Sequence, residues 1–140
     1  ADAEALTAEG SEEVINAKVI TIKTITNEMK FDVTKFEVKA GEQVALVLEN
    51  PDFMQHNLVI TKPGKKEIVG AAADKMAADP NAAELNYVPQ MSDVLFATPI
   101  LNPDETYSLK FKAPTTPGEY PFICTFPGHW RIMQGVMIVK

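Results

Sequence analysis

The chain has 140 residues, 46% hydrophobic and 23% charged, with a formal net charge of −6. That is enough length to bury one core, and without a basic patch interleaved with aromatics it is not expected to bind nucleic acid. No apolar run approaches the roughly 20 residues that span a bilayer, and a single cysteine excludes an internal disulfide framework.

Residues 1 to 13, ADAEALTAEGSEE, place five acidic side chains (Asp2, Glu4, Glu9, Glu12 and Glu13) ahead of the first base, Lys18. The rest of the chain is close to neutral. An alanine- and glutamate-rich segment with few bulky apolar residues is expected to be a solvated arm or linker, with a short surface-docked helix as the alternative. Starting at Ala1 with no charged and then apolar leader, the chain reads as a processed form or an excised piece. One domain is expected over residues 14 to 140.

From Val14 the pattern is one of short strands parted by turns. VINAKVITIKTIT is rich in β-branched residues, Phe31, Val33, Phe36 and Val38 alternate with polar neighbours, and KAGE at 39 to 42 is a turn. QVALVLEN reads as a buried strand ending at Asn50-Pro51. In HNLVIT the two-residue period puts His56, Leu58 and Ile60 on one inward face.

The next segment breaks the pattern. Alanines dominate, and Ile68, Ala71, Ala72 and Lys75 have helical spacing, which predicts a helix over about 67 to 78, ending before Asp79-Pro80. Strands resume with VLFATPI and YSLKFK, in which Tyr107, Leu109 and Phe111 share a face. YPFICTF aligns Tyr120, Phe122 and Cys124, and QGVMIVK closes the chain with Val136 and Ile138 facing one way. About eight strands with one helical insertion predict an all-β, Greek-key β-sandwich.

Cys124, His129 and Met133 form the pattern C-x4-H-x3-M, across a Pro127-Gly128 turn between two strands. Proline sets φ and glycine tolerates conformations a β-carbon would forbid, so the turn can gather three side chains around one point. Three donors leave a tetrahedral site short of one, and the only other histidine is His56. A thiolate, two imidazoles and a thioether are a soft donor set, and a His2Cys plane with a weak axial methionine suits copper in electron transfer. Singly, a buried cysteine or methionine is more commonly a small hydrophobe or core filler; together the four residues argue for a metal site.

MQHNLVI and CTFPGHWRIMQG resemble the two copper-binding segments of the azurin and auracyanin group of cupredoxins, which are small blue copper proteins. The resemblance runs over about residues 14 to 140 and includes the helical insertion and NPDETYSLKFKAPTTPGEYPFICTFPGH. It implies one type 1 copper ion with His56, Cys124 and His129 as equatorial ligands and Met133 as axial ligand. The backbone carbonyl of Gln55 would lie near the opposite axial position; azurins have glycine there and auracyanins glutamine. Asn57 would tie the two ligand loops together, and the Phe126 amide would donate to the cysteine sulfur. The absence of a second cysteine departs from azurins and matches auracyanin.

The function implied is single-electron shuttling between a redox protein donor and acceptor, by a monomer in the periplasm or otherwise outside the cytoplasm, with the acidic arm suited to a tether to a lipid anchor or to another domain. No catalysis is expected, because the four ligands leave no open position for a substrate. An edge of His129 is expected at the surface among Phe53, Met54, Pro127 and an exposed Trp130, an apolar patch suited to brief docking. Rival readings are a Cys-His hydrolase, which lacks an evident orienting third group, a structural zinc site, for which thioether is a poor ligand, and a copper-storage module. An electron-donating part of a larger copper enzyme is also compatible with the sequence.

Overall fold

Apolar residues alternating with polar ones set the strands in the computed structural model, which describes residues 17 to 140. The expected arm, 1 to 13, and the first residues of the expected domain lie outside the described residues. The strands are β1 (Lys18–Lys23), β2 (Lys35–Val38), β3 (Gln43–Asn50), β4 (Val59–Thr61), β5 (Val94–Ala97), β6 (Glu105–Lys112), β7 (Gly118–Ile123) and β8 (Gln134–Val139). Helix α1 (Lys66–Met76) lies between β4 and β5 and is followed by a 3-10 turn at Ala83–Leu85.

Two sheets face each other, one in the order β1-β3-β6 and one in the order β2-β8-β7-β4-β5. β1 pairs with β3, and β2 with β8, in parallel; the other pairings are antiparallel. Between the sheets lies a continuous core that includes Ile22, Phe36, Leu46, Leu48, Leu58, Ile60, Phe122 and Met137, together with Cys124 and Met133. This is the expected all-β sandwich with one helical insertion.

β4 and the end of β7 are buried on both faces, which simple alternation does not produce. Leu58, Ile60 and Phe122 face the sandwich core, while Val59 and Ile123 pack with Val69 of α1 and Trp130 in a second apolar cluster. The helix therefore forms a partial third layer over one sheet. Its buried residues are Val69, Gly70 and Ala73, small enough for close approach, and Ile68 of the periodic set is exposed.

Several strand assignments shift. His56 lies ahead of β4 rather than in it, held by an isolated bridge in which its N–H reaches the Leu101 carbonyl at 3.2 Å and the Leu101 N–H returns to its carbonyl at 2.8 Å. Phe31 bridges Thr24 instead of starting a strand. Tyr107 is exposed although Phe111 on the same strand is buried, because β6 is an edge strand and that end lies outside the core. On β8 the core takes Met137 and Val139, leaving Val136 and Ile138 half-buried on the opposite row.

Candidate metal centre

Cys124 follows the last residue of β7, His129 and Met133 lie in the loop before β8, and His56 comes from the segment entering β4. β4 and β7 are neighbours in one sheet, paired at Val59–Ile123, so the two ligand segments leave the same end of the sheet side by side. The loop is closed at its base, where the Cys124 N–H donates to the Met133 carbonyl at 3.1 Å. It is tightened by a helical turn in which the Ile132 and Met133 N–H groups bond to the His129 carbonyl at 3.1 and 2.9 Å. Gly128, at φ +86°, makes the reversal that precedes His129.

Cys124 Sγ lies 3.8 Å from His56 Nδ1 and 3.6 Å from His129 Nδ1. The three potential donor atoms lie within 4.8 Å of one another, and all three residues are buried. A first-row divalent ion sits about 2.0–2.1 Å from imidazole nitrogen and about 2.3 Å from thiolate sulfur; with bonds near 120° this requires N···S separations of about 3.8 Å. The observed spacing fits a trigonal His2Cys plane. Met133 is fully buried in the same apolar cluster as Cys124, and this soft donor set suits copper.

The surroundings explain how the site is held. The Asn57 side chain donates to Thr125 Oγ1 and to the Asn86 carbonyl, both at 2.9 Å, and accepts from the Thr125 N–H at 2.8 Å, so one amide stitches both ligand segments together. The backbone N–H groups of Asn57 and Phe126 are bonded to the cysteine sulfur. The Phe126 ring lies 4.9 Å from the His129 ring and 5.1 Å from Tyr87. Gln55 bonds through its side chain to Asn102 at 2.6 Å.

The docking residues separate. Phe53 is 74% exposed and Met54 is also exposed, with Pro127 half-buried. Trp130, expected at the surface, is only 8% exposed: the helical turn after His129 swings its ring onto α1. Its Nε1–H donates to Asp74 Oδ1 at 3.2 Å, and Arg131, stacked over the indole at 4.7 Å, pairs with Asp74 Oδ2 at 2.7 Å. His129 is likewise buried, at 3%, rather than showing an edge. The exposed apolar side chain of this loop is Ile132.

Sequence reading missed Asp52, Asn50 and Thr125, all buried. Asn50 Nδ2 donates to the Met54 and Leu101 carbonyls at 2.9 and 3.0 Å, while its Oδ1 accepts from the Thr24 hydroxyl at 2.7 Å. The available signal was NPD itself, two side chains able to satisfy backbone groups in a loop otherwise apolar.

Burial pushes the Cys124 thiol up to about 12 against the two N–H groups that favour its thiolate. Burial, aided by repulsion from His56 and opposed by Asp52, lowers His129 to about 4. The signs for the metal-free protein follow. An unfolded histidine takes up a proton near 6.5 that folded His129 refuses until about 4, so stability falls as pH drops through that interval. An unfolded thiol ionises near 9.0 and folded Cys124 near 12, so stability also falls as pH rises above 9. Melting curves of the apoprotein should therefore be highest between about pH 6.5 and 9; a melting temperature still rising below pH 6 would contradict this assignment.

The β-sandwich, with a buried His-Cys-His cluster and a methionine at one end, defines a cupredoxin, a copper protein that transfers single electrons through a type 1 site. The chain belongs to the plastocyanin/azurin family of copper binding proteins, whose model matches residues 18–140. It is 36% identical over 123 residues to auracyanin-A of Chloroflexus aurantiacus, an alignment covering 86% of this chain and 74% of that protein. The solved structure of auracyanin A, described as a "blue" copper protein from the same bacterium, matches with a TM-score of 0.76 at 35% identity, covering 87% of this chain and 98% of that one. Dithionite-reduced auracyanin from Roseiflexus castenholzii matches with the same TM-score at 33% identity, over 89% and 98% of the two chains.

Proposed function

We propose that His56 Nδ1, Cys124 Sγ and His129 Nδ1 would hold one copper ion, with the Met133 thioether and the Gln55 backbone carbonyl as its weaker donors. The observation that carries this reading is the pair of N···S separations, 3.8 and 3.6 Å, around one buried thiol. When bound, copper supplies a one-electron couple between Cu(I) and Cu(II). The chain's part is to hold one donor geometry through both oxidation states: Asn57 locks the two segments, and the Asn57 and Phe126 amides stabilise negative charge on sulfur.

The protein is a carrier and not a catalyst. A thiol held near 12 is a poor nucleophile, which argues against the hydrolase reading, and the four donors leave no position for substrate. Donor and acceptor are redox proteins met outside the cytoplasm; no helix among the described residues is long and apolar enough to cross a membrane. The domain of residues 14 to 140 would be the electron-transfer unit, with residues 1 to 13 as its tether. Adding Cu(II) to the apoprotein should develop an intense thiolate-to-copper band and a blue colour, and a colourless or pale protein would overturn the assignment.

The docking face is assigned to Phe53, Met54 and Pro127, without Trp130, whose ring is committed to the helix. Replacing Phe53 and Met54 with aspartate should slow electron self-exchange between Cu(I) and Cu(II) protein about tenfold or more, because two desolvating apolar contacts become like charges. The visible spectrum should not change. Line broadening in NMR spectra of mixed oxidation states measures the rate, and an unaltered rate would remove these residues from the port.

A further inference from the structure

Asp52 is a buried acid placed directly behind a copper ligand. Its side chain is 1% exposed, and Oδ2 lies 2.7 Å from Nε2 of the fully buried His56. Oδ1 accepts the backbone N–H of Asn27 at 3.0 Å and that of Phe53 at 2.8 Å. Two backbone N–H donors converging on Oδ1 stabilise the ionised carboxylate, and an ionised carboxylate can only accept, so His56 Nε2 carries the proton in its contact with Oδ2. The ring's other nitrogen, Nδ1, then presents its lone pair toward Cys124.

The carboxylate is itself fixed by groups from two parts of the fold. Asn27 belongs to the turn after β1, in the other sheet, where the Ile25 N–H bonds to the Lys30 carbonyl at 2.8 Å. The Asp52 N–H donates to Asn50 Oδ1 at 3.1 Å, and that oxygen also accepts from Thr24. Asp52 therefore has little freedom to follow a moving ring. The second imidazole has no equivalent: among the described residues, the hydrogen-bond partner of the His129 ring is Cys124 Sγ.

We propose that Asp52 is a positioning residue for the electron-transfer site, setting the tautomer and ring orientation of His56 and lowering the reduction potential. This rests on the copper reading given above. A carboxylate accepting from a ligand imidazole makes that imidazole a better donor to the more highly charged metal ion. A negative charge in a buried, poorly screened setting further favours Cu(II) over Cu(I). The two ligand histidines are consequently unequal, one anchored by a charge and the other by packing against Phe126.

The test is Asp52→Asn, which keeps the side-chain shape but removes the charge and sets an NH2 group against at least one of the three N–H donors. The ratio of Cu(II) to Cu(I) affinity should fall about tenfold, raising the potential by about 59 mV for one electron, while the blue band remains. A ratio changed by less than twofold in a folded, blue variant would overturn the proposal, leaving Asp52 a loop-bracing residue only. The wild-type apoprotein supplies a second readout, independent of copper and of whether the variant folds. Nitrogen-proton NMR at pH 8 should show His56 as the Nε2–H tautomer with a slowly exchanging proton, and an Nδ1–H tautomer would overturn the assignment. Failure of the wild type to bind copper would instead sink the functional reading and leave the tautomer result standing.

Discussion

Cys124→Ser is expected to abolish the blue band completely and to leave the fold in place. The thiol is the single sulfur with an ionisable proton in the chain, and it sits between the two imidazole nitrogens at 3.8 and 3.6 Å. A serine hydroxyl is close in size but is far harder to ionise, so neither the strong thiolate bond nor its charge-transfer absorption can form. The Asn57 and Phe126 N–H groups that face the sulfur would still find an oxygen to bond, so the folding cost should be about 1 kcal/mol or less. Visible absorption and circular dichroism on the same sample decide it: an intense band near that of the wild type in the serine variant would refute Cys124 as the ligand.

The second large effect is on stability, at Trp130. Its indole fills the space over Gly70, where an added β-carbon would lie 2.3 Å from ring atom Cδ2 and about as close to two more. Trp130→Ala empties that space and releases the bond to Asp74, which should cost about 3–5 kcal/mol and lower the melting temperature by roughly 10–15 °C. Gly70→Ala attacks the same contact by overpacking and should cost about 1–3 kcal/mol. Because both changes act on one contact, the double variant should be less destabilised than the sum, and strict additivity would show that the two residues do not share it. The metal loop is involved because Trp130 follows His129 directly: a loosened indole frees the turn that carries that ligand and should speed copper loss.

The pairing of histidine, cysteine and methionine was legible because ligand chemistry restricts residue type severely. The chain has one cysteine and two histidines, and C-x4-H-x3-M across Pro127-Gly128 leaves few geometries open. Strand existence was equally legible wherever one face is buried and the other wet, as in KFEV, where Phe36 and Val38 point inward and Lys35 and Glu37 outward. Alternation failed where this contrast vanishes. β4 is buried on both sides and reads as a plain apolar run, and His56 sits before it in a segment held by a bridge to Leu101, a partner 45 residues on that no local pattern announces.

Trp130 shows the same limit from the other direction. A large aromatic next to a ligand in a turn was expected at the surface, yet the helix supplies Val69 and Gly70 beneath it and Asp74 beside it. That site exists only because a segment about 60 residues earlier folds back over the sheet. Asp52 was overlooked for a related reason: an acid in a loop is ordinarily solvated, and its value depends on the Asn27 and Phe53 amides converging on one oxygen while His56 meets the other.

By itself the sequence determined which residues could hold a metal, that the chain would be a β-sandwich, and that one alanine-rich helix would interrupt it. These follow from composition and short-range periodicity, which act within a few residues. Which face of the helix is buried, which aromatic is left exposed, and which carboxylate stands behind the histidine were decided only by the tertiary structure. Each of these depends on groups distant in the chain brought to within hydrogen-bonding or van der Waals distance, and contacts of that range are set by the packing of whole layers.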